Sequence, residues 1–293
     1  MSRPLDAVAI LLMVMLCLTW GFNQVAVKLS LPDIPPLTQA AIRSAGAGVI
    51  IYVWALARGI RLFERDGTLW AGLAVGALFA LEFLMIYPGL LWTTASRAVV
   101  FIYTMPFFVV IGARWLLPGD RFDRQQWLGL LLSFAGVGVA FGVPVPGADP
   151  RQWLGDAMIL VAAVAWAGTT LSIKASSLNK ASPEKTLLYQ LAVSAVMLGV
   201  AALAFGERIV AMPSARALGW MTFQTVWVVA ITFLIWFALI QRYSASRLSA
   251  FSIQTPLFGV AAGYFMLDEP ITPAFVVAAV LVAAGLVLVN RPR

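Results

Sequence analysis

The 293-residue chain contains no histidine and a single cysteine, Cys17. Without histidine there is no His-ligated metal, no imidazole base or proton relay, and no Ser-His triad. One cysteine excludes an intramolecular disulfide, and its place inside the first apolar run suits a small core residue. Charge is scarce as well: 11% of residues are Asp, Glu, Lys or Arg, against about 25% in soluble domains. No GxxxxGK[ST] loop is present to cradle nucleotide phosphates. Neither a metal-ligating cluster nor a catalytic constellation can be assembled, so no metal, no cofactor and no enzymatic activity are expected.

What is present is apolar. Hydrophobic residues make up 61% of the chain, more than a soluble fold of this size can hide. Crossing the hydrocarbon core takes roughly 20 mostly apolar residues. Ten stretches qualify: about 7–28, 36–58, 68–91, 95–116, 125–143, 154–175, 184–205, 215–240, 246–267 and 272–290. The first, from Val8 to about Val27, is too long for the apolar region of a signal peptide and reads as a retained helix. Short connections carry turn formers such as Leu31-Pro32-Asp33 and Asp149-Pro150.

The net charge of +7 does not point to nucleic acid, because the basic residues stand singly between spans, as orientation signals do. With the N-terminus in the cytoplasm, fourteen Lys and Arg fall on the cytoplasmic side and five on the other. Arg43 lies inside the second span. Both termini are therefore expected in the cytoplasm.

The chain also repeats itself. Residues 96–108 read SRAVVFIYTMPFF and residues 246–258 read SRLSAFSIQTPLF. Pro106 and Pro256 fall at the same place in the two copies. A proline within an apolar helix removes a backbone hydrogen bond and kinks the rod, which lipid tolerates only beside other helices or a wet cavity. Trp20 and Lys28 correspond to Trp166 and Lys174, Arg43 to Gln190, Glu82 to Thr232, Asp120 to Glu269 and Gly136 to Gly285. The offset drifts only from 146 to 150 residues. Five spans per copy is odd, so the second copy enters the membrane from the opposite side. The expected fold is an all-α integral membrane protein with ten transmembrane helices in two inverted five-helix repeats, residues 1–146 and 147–293, around a central cavity. Such repeats place a substrate site at their interface near the midplane.

Ionisable groups within a span are functional suspects. Glu82, in the third span, either meets a substrate ammonium or exchanges a proton, or is a structural carboxylate paired with Arg43. Arg43 either clamps a substrate carboxylate or pairs with Glu82 or snorkels. Lys28 and Lys174 end the first helix of each copy and read as interfacial anchors. Asn23, Thr169, Thr170, Gln190 and Gln254 are candidate hydrogen-bonding partners of a substrate, or glue between helices. Trp20, Tyr87, Tyr103, Trp166 and Trp227 are candidates for a cavity wall able to hold a planar group or an organic cation, or are packing residues.

Together these features resemble the EamA-type members of the drug/metabolite transporter superfamily. The resemblance rests on Trp20-Gly21 with Trp166-Ala167, the Thr94–Ala98 opening of helix four, and the prolines of helices four and nine. It includes the acidic turns before helices five and ten, with Asp120 and Glu269, and the glycines Gly136 and Gly285. Helix five departs from the pattern, being entered through Leu-Pro-Gly-Asp-Arg. The chain is most similar to bacterial inner-membrane exporters of amino acids, including aromatic ones, and related metabolites. The resemblance implies a small-molecule substrate, a lipid bilayer, no nucleic acid, a monomer and alternating access. Rival readings are a sugar-phosphate or nucleotide-sugar carrier of the same superfamily, which would want several cavity cations, and a lipid-modifying membrane enzyme.

Overall fold

A computed structural model describes residues 6–116, 124–142, 145, 147–242 and 254–289. Among the described residues all regular structure is helical. The long helices are α1 (Ala7–Ser30), α2 (Pro36–Ala57), α3 (Leu69–Gly89), α7 (Gln152–Ala175) and α8 (Pro183–Ala204). Shorter ones are α4 (Ala95–Ile102), α5 (Met105–Leu116) and α6 (Arg124–Gly142). After α8 come α9 (Ala215–Thr222), a π-helical stretch (Phe223–Ile231) and α10 (Thr232–Arg242), then α11 (Thr255–Leu267) and α12 (Pro273–Val289).

Six helical segments are long and apolar enough to cross a membrane, the sixth being Ala215–Trp236. Four shorter apolar stretches accompany them, Ala95–Val109, Trp127–Ala140, Thr255–Leu267 and Pro273–Gly285. Their outward faces are apolar: Val49, Val164, Val196, Val200, Phe265 and Val280 are all exposed. Helices that are hydrophobic all round belong in lipid. The chain is a multi-pass membrane protein.

Local sequence explains the helix boundaries. Asp6, Thr94, Ser182 and Ser214 cap α1, α4, α8 and α9, each accepting a bond from a backbone N–H three residues on. Pro36 and Pro183 open α2 and α8, where no N–H is needed. Both helices end alike. Gly59 and Gly206 take φ of 66° and 71°, and the residues after them donate back to Ala55 O and Ala202 O.

The two prolines do not bend a continuous rod. The fourth span is interrupted at Tyr103-Thr104, where the Thr104 hydroxyl turns back onto Phe101 O at 2.6 Å. Pro106 is the second residue of the new helix α5, and Pro256 the second residue of α11. A proline lacks the N–H that a helix start leaves unpaired anyway, so it begins a helix better than it bends one. Residues 246–253, most of the second copy of the repeated stretch, lie outside the described residues. So does Asp120.

Helices early in the chain pack chiefly on helices late in it. α2 lies along α8, α6 along α12, α1 against α11, and α3 between α7 and α8; α4 and α5 rest on α7. In lipid there is little hydrophobic drive between helices, so close backbone approach supplies the cohesion. α11 is wedged between α1 and α4 by glycines. A methyl group on Gly21 would come within 2.6 Å of Thr255 O and 2.7 Å of Gly259 N. One on Gly259 would sit 2.7 Å from Val99 Cγ1. Gly21→Ala must therefore push α1 off α11, at about 1–3 kcal/mol for overpacking. A lower midpoint of thermal unfolding in detergent is expected; an unchanged midpoint would mean that the two helices do not meet there.

Loops also tie early and late helices. Both carboxylate oxygens of Glu207, beyond α8, accept the first N–H groups of α2, from Leu37 at 3.1 Å and Thr38 at 2.7 Å. Asp66, before α3, accepts from Lys185 Nζ at 2.8 Å and from the Thr68 hydroxyl at 2.6 Å. These two donors hold the Asp66 carboxyl well below the usual carboxylate range.

Candidate functional site

Arg43 and Glu82 come from α2 and α3 and are both buried, 2% and 6% exposed. α3 carries Phe79, Phe83 and Tyr87 at four-residue spacing, one above another, with ring centres 4.7 and 6.0 Å apart. The Arg43 guanidinium lies over this ladder, its carbon 3.9 Å from the Phe83 ring centre and 5.4 Å from that of Tyr87. Arg43 is also the charged neighbour acting on Glu82. Yet the two make no salt bridge within 4.0 Å. Among the described residues Arg43 Nε and Nη2 and Glu82 Oε2 have no hydrogen-bonding partner.

Other buried polar atoms share that condition. Asn23 Oδ1 and Gln24 Oε1 on α1, Ser44 Oγ on α2 and Thr169 Oγ1 on α7 are unpartnered among the described residues. Gln190, the counterpart of Arg43, is buried on α8. Leaving such groups unmade costs about 1–3 kcal/mol each, so folding alone gives no reason to keep them.

The remaining candidates divide. Tyr87 donates to Gln224 Oε1 at 2.8 Å, and Gln224 donates to Gln39 Oε1 at 3.1 Å, closing a buried polar layer across α3, the π-helical stretch and α2. Tyr103 and Trp166 meet edge to face at 5.9 Å. Trp20 donates to Thr232 Oγ1 at 2.9 Å and Trp227 to Thr19 Oγ1 at 3.2 Å, so both indole N–H groups join helices. The Thr170 hydroxyl bonds back to Trp166 O at 3.1 Å and is used within its own helix. Gln254 precedes α11 without capping it. An apolar pocket lined by Thr104, Phe107, Phe108, Ser133, Phe134 and Leu160 contains none of these candidates.

Lys28 is not an interfacial anchor. Its Nζ donates to Thr93 O at 2.7 Å and lies 3.7 Å from Glu269 Oε1. The end of α1 is crowded by the start of α4, which offers the ammonium protein partners instead of headgroups. Its counterpart Lys174 is exposed. Nearby, Arg97 and Asp156 form a buried ion pair, with Arg97 Nε 3.1 Å from both carboxylate oxygens. Arg97 Nη2 also donates to Ala140 O at 2.6 Å, and the Thr93 hydroxyl to Asp156 Oδ1. Asp156 and Gln224 carry no pattern in the sequence that would single them out. Both are recognised only by the partner that the fold brings to them.

The EamA-like transporter family matches residues 7–142 and again residues 153–291. The chain belongs to the EamA-like transporter family. This family is part of the drug/metabolite transporter superfamily. The chain is 26% identical over 278 residues to an uncharacterized transporter, YoaV, of Bacillus subtilis, covering 92% of each. It is also 26% identical over 296 residues to a probable amino-acid metabolite efflux pump of Escherichia coli, covering 98% of this chain and 94% of that one. An uncharacterized inner membrane transporter of Escherichia coli, YedA, is 22% identical over 286 residues, covering 94% and 88%. A crystal structure with 20% identity has the same fold, with a TM-score of 0.68 over 95% of this chain and 96% of that one.

Proposed function

We propose that the chain is a secondary transporter that exports amino acids and related small metabolites across a bacterial inner membrane by alternating access. Arg43 and Glu82 carry this reading: an arginine and a glutamate buried on adjoining helices, with no salt bridge between them. A zwitterion presents a carboxylate and an ammonium a few ångströms apart. The flat guanidinium fork takes the carboxylate and Glu82 takes the ammonium. Phe83 and Tyr87 offer an apolar wall to the side chain. The Escherichia coli relative's name, a probable amino-acid metabolite efflux pump, agrees with this class.

The proposed architecture is ten spans in two inverted five-helix repeats, residues 1–146 and 147–293, with both termini cytoplasmic and the site where the repeats meet. The twofold family match and the packing of early on late helices support it. The protein acts as a monomer and is not an enzyme. A sugar-phosphate substrate fits less well, because Glu82 beside Arg43 repels a phosphate dianion.

Counterflow in proteoliposomes with a panel of radiolabelled amino acids tests the reading. Uptake of at least one zwitterion, competed by its neighbours in size but not by sugar phosphates, is expected. No uptake of any amino acid would refute it. Solid-supported membrane currents with and without a pH gradient then separate uncoupled movement from proton exchange through Glu82. Persistence of transport in Glu82→Gln without pH-driven accumulation would exclude the exchange.

A further inference from the structure

Where α1 ends, α4 begins and α11 ends, one carboxylate joins all three. Glu269, in the loop between α11 and α12, is buried. Its Oε1 accepts the Ala95 N–H at 2.6 Å, and its Oε2 accepts the Ser96 N–H at 2.9 Å and the Ser96 hydroxyl at 2.7 Å. Lys28 at the end of α1 supplies the counter-charge at 3.7 Å. The carboxylate thus meets the positive end of α4 and a cation at once.

The joint is built in and not incidental. Asp268 immediately before Glu269 closes α11 in the left-handed conformation, φ 52°, which turns the chain so that Glu269 faces back to α4. Gly263 makes room: a methyl group there would lie 2.5 Å from Glu269 Oε2 and closer still to Ser96 Oγ. The Glu269 joint differs from the nearby Arg97–Asp156 pair. That pair joins α4 to α7, on which α5 also packs. The α4–α11 seam consists of Gly259 and Gly263 against Val99 and Ser96. The Glu269 carboxylate is the charged contact that crosses it.

We propose that Glu269 is the latch that closes this end of the protein, and that releasing it from the first turn of α4 and from Lys28 opens the seam between α4 and α11. With both termini cytoplasmic this end faces outward, so the inference rests on the carrier reading for its purpose and on the orientation for its side. Glutamine at 269 keeps the shape but offers an N–H₂ where one backbone N–H needs an acceptor, and it forfeits the charge. The open state should gain.

The test needs no substrate. In a Cys17→Ala background, which has no other thiol, Val99→Cys reports the α4–α11 seam. Val99 is fully buried there. Ile51→Cys, equally buried on α2, reports general loosening. A membrane-impermeant maleimide is applied to intact cells and to inverted vesicles. Glu269→Gln is expected to speed labelling at Val99→Cys from outside by about tenfold, the scale of one charge-assisted bond, and to leave Ile51→Cys protected. Unchanged labelling from both sides, or equal gains at both reporters, overturns the latch. A gain from inverted vesicles alone supports the latch and overturns the orientation. Should Glu269→Gln not accumulate, Ser96→Ala removes one of the three bonds and must give a smaller gain of the same sign; no gain overturns the proposal. Because labelling is independent of transport, a latch that opens in a protein moving no amino acid would refute the substrate and not the latch.

Discussion

Arg43→Gln abolishes counterflow of zwitterionic substrates. Two charge-assisted bonds from the guanidinium to a carboxylate are worth about 1.5–3 kcal/mol each. Their loss corresponds to a fall of about 100-fold or more in transport at limiting substrate. Arg43→Lys keeps the charge but loses both the fork and the contact over Phe83, and should fall between. Counterflow on the three proteins checks this. Parental transport by Arg43→Gln would place the substrate elsewhere.

Asp156→Ala is expected to be the most destabilising single change among the residues of the joints. It leaves Arg97, itself 2% exposed, buried beside an empty space. Breaking a buried pair by removing one partner costs about 3–5 kcal/mol. It also strips the Thr93 hydroxyl of its acceptor. The double change Asp156→Ala with Arg97→Met removes both charges and should recover most of the loss, since buried pairs exchange for apolar groups at little net cost. Accumulation in membranes and the unfolding midpoint in detergent are the readouts. A double variant no better than the single one would show that the pair does more than neutralise itself.

Among the described residues apolar length alone located most of the helices, because lipid forces every span to satisfy its own backbone. Pairing was harder to foresee. Lys28 reads as an anchor when α1 is viewed alone, and only the approach of α4 and the α11–α12 loop gives it Thr93 and Glu269. The prolines were legible as interruptions but not as helix starts, since that depends on Thr104 turning onto Phe101. The π-helical stretch, Phe223–Ile231, has no proline or glycine to announce it. Of the site, Arg43 and Glu82 stood out because a charge in a span is rare and costly. Trp20 and Trp227 spend their indole N–H groups on Thr232 and Thr19, pairings that no sequence pattern announces. Gln224, which binds Tyr87 and Gln39, looked like any neutral side chain in a polar-tolerant helix.

The neighbouring placement of Arg43 and Glu82 bears on how the membrane voltage acts. Each elementary charge moved across 100 mV is worth about 2.3 kcal/mol. With Glu82 ionised, its carboxylate and the guanidinium sum to nothing, and a zwitterion seated between them adds nothing. Reorientation of that pocket, empty or loaded with a neutral amino acid, is then electrically silent and proceeds at the same rate in energised and de-energised cells. A basic or acidic side chain on the solute would bring one uncompensated charge, and its export alone would slow or quicken with the resting potential.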